Sequence, residues 1–173
     1  MIRAELVNPF LLAAGEVLAS EAGVTVSRGP LTLERDVYET DHVTVLVSVI
    51  GEVWGMAFYG MSQDTAKGIL SRMLGQQVTA FDELAQSGIG ELGNVITGKA
   101  TTKLAEHGYN ANISVPTLII GKGSRISTLD IGRLVIPLQT ELGVVRLDLA
   151  LRDNKAGGAP GSVDLALRVA VPQ

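Results

Sequence analysis

The hydrophobic spacing of this 173-residue chain changes in blocks, and the order of those blocks restricts the fold more than any other feature. It starts at helical spacing: Asn8-Pro9-Phe10 leads into Leu11, Leu12, Val17 and Leu18, with Pro9 suited to a first turn and Gly23 to a stop. Val24 to Glu34 and Val43 to Met61 then carry the Val, Ile, Thr and aromatic residues of strands, with Gly51-Glu52 as a hairpin turn. Ser62 caps a second helix that sets Ala66, Ile69, Leu70, Met73 and Leu74 on one side. A longer helical stretch runs from about Phe81 to His107 and closes at Gly108. Next come Ile113 to Ile120 as a buried strand, then Leu134 to Leu138 and Val144 to Leu151 as alternating strands about a Glu141-Leu142-Gly143 turn. A Gly/Pro loop, Asn154 to Ser162, precedes a last strand, Val163 to Val171. Strands clustered in two runs, with helices between them, predict an α+β fold with an antiparallel sheet rather than a parallel doubly wound one. The recurrence of Asp148-Leu149-Ala150-Leu151-Arg152 as Asp164-Leu165-Ala166-Leu167-Arg168 is read as two similar amphipathic strands, because five residues are too few for a structural repeat.

Composition narrows the function classes. The length suits one domain, residues 1–173, and 46% hydrophobic against 18% charged residues describes a chain that folds around a core. There is no cysteine, so disulfides and thiolate metal sites are excluded, and a reducing cytoplasmic setting is expected. The net charge of −4, with Lys and Arg scattered, disfavours nucleic acid and anionic membrane as partners. No secretory signal is read at the N-terminus, where Glu5 and Glu16 flank only a short apolar run, and Val43 to Ile50 is too short to span a bilayer. His42 and His107 have no partner at metal-ligand spacing and are read as surface or capping residues, so no metal site is expected.

The richest stretch is Ser87-Gly-Ile-Gly-Glu91-Leu-Gly-Asn94-Val-Ile-Thr-Gly98-Lys99. It spells a dinucleotide fingerprint, Gly88-x-Gly90-x-x-Gly93, and nearly a phosphate-binding loop, Gly93-x-x-x-x-Gly98-Lys99. Both need a strand immediately before them, and here a helical pattern precedes; Ala100 also stands where the phosphate loop requires Ser or Thr. On a helix turning about 100° per residue, Ala85, Ile89, Leu92, Ile96 and Ala100 fall within roughly 80° and form a buried stripe. Ser87, Glu91, Asn94 and Gly98 fall within roughly 60° on the opposite side. Glu91 and Asn94, three apart, are neighbours there, so a carboxylate and an amide project together into solvent. Four glycines, at 88, 90, 93 and 98, each cost about 1 kcal/mol relative to Ala in a helix interior. Either another element packs closely against them or another protein must approach bare backbone, and both readings stand.

Ser87-x-x-x-Glu91-x-x-Asn94, followed by Pro116, resembles the signature of the CheC/CheX/FliY phosphatases of bacterial chemotaxis. Asn8-Pro9-Phe10 is similar to the opening of the CheX proteins, and the order of elements matches over nearly the whole chain. The spacing departs by one: 21 residues, 95–115, separate Asn94 from Pro116 where the family pattern has 22. CheC proteins carry a second Glu-x-x-Asn on the first helix. Here Glu16 is followed three residues later by Ala19, and one site per chain is the CheX arrangement. The resemblance implies two long helices packed on one face of the sheet, a homodimer joined through that sheet, and a CheY-like response regulator as partner. That substrate would carry an aspartyl phosphate and its own Mg²⁺, so the chain itself would need no cofactor. The catalytic candidates are Glu91 and Asn94. A neutral amide suits the task of ordering an attacking water, since its carbonyl accepts a hydrogen bond without repelling phosphate oxygens. The resemblance gives Glu91 a different role, pairing with the regulator's phosphate-side lysine. Ser87 and Gly98 would adjust the contact with the partner, and Pro116 would shape the backbone. For the homodimer, the long late strands from Leu134 onward are the expected interface. The rival reading is a non-catalytic docking module of the same fold in chemotaxis or flagellar switch signalling, and an adaptor has no need of Glu91 and Asn94 at this spacing.

Overall fold

A computed structural model describes residues 3–155 of the chain. Helix α1 (Ala4–Ala22) comes first, then the short strands β1 (Ser27–Arg28), β2 (Thr32–Glu34) and β3 (Tyr38–Glu39). The hairpin β4 (Val43–Gly51) and β5 (Val53–Met61) leads into helices α2 (Gln63–Leu74) and α3 (Glu83–Glu106). The second run comprises β6 (Ala111–Ile113), β7 (Thr117–Ile120), β8 (Arg125–Ile126), β9 (Arg133–Thr140) and β10 (Gly143–Asp153). Eight strands form one sheet in the order β1-β9-β10-β5-β4-β6, with β2 also on β9 and β7 also on β4. Each of these pairings is antiparallel. β3 and β8 make a separate two-stranded ribbon.

Alternation along the strands decides which face carries the helices. Val43, Val45, Val47 and Val49 of β4, Val53, Ala57, Tyr59 and Met61 of β5, and Val145, Leu147, Leu149 and Leu151 of β10 are all buried. They share one core with Leu6, Phe10, Val17 and Leu18 of α1, Ile69 and Leu70 of α2, and Ile89, Leu92 and Ile96 of α3. Residues of one parity point to one side of a sheet, so the helices pack on a single face. Each fully buried Leu or Ile there contributes about 1.5–3 kcal/mol. The α+β architecture with long helices on one face is therefore the one expected, and the shorter α2 joins them.

The opposite face is not the solvated, charged surface that the Leu/charge alternation suggests. Arg133 is 2% exposed and Asp148 fully buried. Arg133 Nε donates to Asp148 at 2.8 Å, Arg146 Nε to the same carboxylate at 3.0 Å, and Arg133 also pairs with Glu34. Tyr38, carried by the β3–β8 ribbon, stacks on Phe58 with ring centres 4.4 Å apart and sets its ring against the guanidinium groups of Arg133 and Arg146. The charges alternate as expected, but a ribbon made of two segments distant in sequence covers them.

Several boundaries differ from the sequence reading for local reasons. Helix α1 begins at Ala4, so Pro9 lies inside it rather than in its first turn; Leu6 and Val7 are buried, and their packing extends the helix upstream. Gly23 ends it as expected, with φ 61° and its N–H on Ala19 O at 3.0 Å. Val24 to Glu34 is not one strand: Gly29-Pro30 separates β1 from β2, since proline has no N–H to donate to a ladder. Ile113 to Ile120 likewise splits into β6 and β7 around Ser114-Val115-Pro116. The late strands β9 and β10 are internal: β10 lies between β9 and β5, and β9 between β10 and the β1–β2 pair. They are thus not available as the dimer edge proposed for them. The expected last strand, Val163 to Val171, and residues 156–162 of the loop before it lie outside the described residues.

Candidate functional site

The outward face of α3 depends on how firmly its inward face is seated. The side chain of Asp82 accepts a hydrogen bond from the Ala85 N–H at 3.0 Å and so satisfies one of the helix's free donors. Gly93 lets the helix settle on the sheet: a Cβ added there would lie 2.6 Å from Val45 Cγ1. One turn on, Thr97 donates back to Gly93 O at 2.7 Å and lies 2.7 Å from the hydroxyl of buried Tyr59 on β5. Burial pushes the Tyr59 phenol up, well clear of ionisation. Gly88 serves the contact with α2, since an added Cβ would meet Leu70 Cδ2 at 2.7 Å. Two of the four glycines are thus explained by close packing, against the sheet in one case and a helix in the other. Gly90 and Gly98 are different, with the nearest atoms to an added Cβ at 4.0 and 3.8 Å.

The whole of residues 83–106 is one helix, which disposes of both glycine-rich fingerprints as phosphate loops. Lys99, the would-be phosphate lysine, instead pairs with Glu16 of α1 at 2.9 Å, and Lys103 joins it at 3.0 Å. The Lys99 and Lys103 ammonium groups hold the Glu16 carboxyl below the usual glutamate range. His107 accepts the capping part foreseen for it, with Nδ1 at 2.9 Å from Lys103 O.

On the outer side Ser87 and Glu91 are exposed, while Asn94 and Gly98 are half-buried. Among the described residues neither Glu91 nor Asn94 is held in an ion pair or side-chain hydrogen bond; those along the helix run instead between Lys99, Lys103 and Glu16, and within the Gly93–Thr97 and Gly98–Thr101 turns. Pro116 lies across the helix, 4.0 Å from an added Cβ at Gly90, and Ile113 Cδ1 lies 3.8 Å from one at Gly98. The chain between β6 and β7 therefore runs beside the ridge formed by Gly90, Asn94 and Gly98. An open groove of about 370 Å³ follows, lined by Glu83, Gln86, Ser87, Gly90, Glu91, Pro116 and Leu118. The fold thus brings Ser87, Glu91 and Pro116 to one groove and sets Asn94 on the ridge beside it. Glu83, Gln86 and Leu118 also line that groove and were not singled out from sequence. Glu83 and Gln86 sit one turn before Ser87 and Gly90, so helical spacing alone could have found them; Leu118 had no local signal. Chemically the groove offers the carboxylates of Glu83 and Glu91, with the Asn94 amide on the ridge beside it, and there is no cluster of metal-ligating residues among the described ones. Such a surface can grip a cation and orient a water on a partner, but it has no nucleophile–base pair of its own.

A family profile described as Chemotaxis phosphatase CheX matches residues 43–139. The CheY-P phosphatase CheX of Thermotoga maritima is 28% identical over 129 residues, 74% of this chain and 83% of that protein. A chemotaxis protein CheX from Desulfovibrio desulfuricans superposes with a TM-score of 0.77 at 26% identity, covering 86% of this chain and 99% of that one. A CheX–CheY–BeF₃–Mg²⁺ complex from Borrelia burgdorferi contains a chain that superposes with a TM-score of 0.74 at 25% identity, over 87% of this chain and 99% of that one.

Proposed function

The chain belongs to the CheX family of chemotaxis phosphatases, and from that premise we propose that it hydrolyses the aspartyl phosphate of a CheY-like response regulator, with Asn94 and Glu91 as the working pair. The observation that carries the reading is that pair: an amide and a carboxylate one turn apart, outward on a helix whose two lysines are already engaged with Glu16. The regulator brings the acyl phosphate and its own Mg²⁺, so α3 need add only a water in line with the breaking P–O bond. The Asn94 carbonyl accepts a hydrogen bond from that water and presents no charge to the phosphoryl oxygens. Glu91 reaches the regulator's phosphate-side lysine, which fixes the depth and angle at which Asn94 enters. Ser87 and Gly98 meet the partner's surface, and Pro116 holds the neighbouring backbone against Gly90. One site per chain in a cytoplasmic homodimer completes the proposal. Among the described strands, the sheet edges open to a second copy are β1–β2 and β6–β7.

Phosphate release from a receiver domain charged with acetyl phosphate tests this directly. Asn94→Ala is expected to bind the receiver as the native protein does and to lose activity by about a hundredfold or more. Glu91→Ala removes a charge-assisted contact of about 1.5–3 kcal/mol and should weaken binding and turnover together. Native rates in Asn94→Ala would end the catalytic assignment. Native protein that binds the receiver without accelerating phosphate loss would favour the docking-module alternative.

A further inference from the structure

Val115 is the most exposed large hydrophobic residue described in the chain, at 82%. Its neighbours on either side are pinned. The Ser114 N–H donates to Ser48 O at 3.0 Å, and the Ser48 N–H donates to Ser114 Oγ at 2.9 Å, which locks that residue to β4. Pro116 has a fixed φ and rests against Gly90 of α3. A residue before proline is also confined to extended backbone. Val115 is therefore held out on a rigid two-point mount, not left at the tip of a free loop.

Its position follows from the two close approaches of this segment to the helix. Ile113 lies beside Gly98 and Pro116 beside Gly90. Those glycines are four residues to either side of Asn94, about 12 Å apart along the axis, which three extended residues of chain nearly span. The step from Ile113 to Pro116 thus passes Asn94, with Val115 between them. Across the helix, Leu84 and Val95, 72% and 40% exposed, fall on the same side as Glu91. The unpaired polar pair is bracketed by apolar side chains, as in an interface whose polar centre must be shielded from water.

We propose that Val115 is a docking and specificity residue: it seats against an apolar surface of the phosphorylated receiver beside the phosphoaspartate, and sets how tightly the receiver is held rather than how fast it is hydrolysed. This rests on the reading of Glu91 and Asn94 as the site, and commits to the receiver as the occupant because the mount lies against the same ridge that carries Asn94. A second copy of this chain is the competing occupant.

The test uses full-length protein and a CheY-type receiver from the same organism, in two forms: acetyl-phosphate-charged for kinetics, and loaded with beryllofluoride and Mg²⁺ for binding. Val115→Asp is expected to raise KM and Kd about tenfold or more and leave kcat within about twofold, with Val115→Leu close to native. The side chain is exposed, so the circular dichroism spectrum and melting temperature should not move. Unchanged KM and Kd overturn the inference, whatever happens to kcat. A change in oligomeric state by light scattering overturns it too, by assigning the side chain to self-association. Native protein that binds without hydrolysing sinks the catalytic reading alone, because the Kd comparison still decides Val115.

Discussion

The same substitution, glycine to alanine, should have opposite effects at two positions five residues apart in α3. At Gly93 the added methyl would lie 2.6 Å from Val45 Cγ1, 3.2 Å from Val45 Cβ and 3.4 Å from a ring carbon of Tyr59. Carbon atoms prefer about 3.5–4.0 Å, so something must move by about 1 Å. Val45 cannot easily yield: it is fully buried on β4, which is hydrogen-bonded to β5 and β7, and its branched side chain is stiff at χ1. Overpacking of this kind costs about 1–3 kcal/mol, against about 1 kcal/mol gained by replacing glycine in a helix, so Gly93→Ala should be less stable by about 1 kcal/mol. At Gly98 the nearest atom is Ile113 Cδ1 at 3.8 Å, an ordinary contact. Only the gain remains there, about 0.5–1 kcal/mol. The two variants should therefore melt roughly 4–8 °C apart, on either side of native, by calorimetry and by urea unfolding. If Gly98 is bare so that a receiver can approach, its stabilised alanine variant will also show a raised KM. Equal stability changes at the two sites would refute the argument that Gly93 is set by the sheet and Gly98 by something else.

Two further outcomes follow from charged groups away from the site. The Glu16 carboxyl sits below its ordinary range because of Lys99 and Lys103, so its contribution is present above the ordinary glutamate range and is lost as pH falls through the lower folded value. Glu16→Gln should accordingly flatten the acid limb of a melting-temperature profile, by a small amount that salt reduces further, since the pair is half-exposed. Asp148→Ala removes the buried carboxylate shared by Arg133 and Arg146, leaving Arg133 with Glu34 and the Asp36 carbonyl, and should cost about 1.5–3 kcal/mol by urea unfolding, with the β3–β8 ribbon losing hydrogen-exchange protection first.

What could be read from the residues, and what could not, divides by the range of the interactions involved. Helix α3 and its polar face were legible because a 3.6-residue period is local; Ser62 announced the start of α2 by its side chain, and Gly23 the end of α1 by the left-handed backbone it can adopt. The extent of α1 was not, because Leu6 and Val7 are helical through tertiary burial. Leu134 to Leu138 and Val144 to Leu151 were placed within two residues of the strands observed, yet their neighbours in the sheet were not, since strand order depends on pairing between β9 and segments a hundred residues earlier. The same holds for the site. Glu91, Asn94 and Ser87 share a helix and could be grouped from spacing, whereas Pro116 and Leu118 reach the groove only because β7 pairs with β4 and carries this segment to the helix.

The two longest helices show how one architecture decides where a site can be. α1 and α3 pack side by side, and each carries an exposed glutamate, Glu16 and Glu91. On α1 the carboxylate is neutralised by two lysines from α3, and Ala19 stands where a partner amide would be. On α3 the carboxylate keeps its charge unanswered among the described residues, and the amide is in place. A carboxylate already paired within its own fold must break that pair before it can capture a partner's lysine, which cancels most of the gain. Glu16 is thus committed to clamping α1 against the helix that presents the site, and this supports one receiver engaged per chain. The lysines of α3 serve the same end twice over: in reaching for Glu16 they seat the helix, and by turning away they leave Glu91 open to a cation from outside.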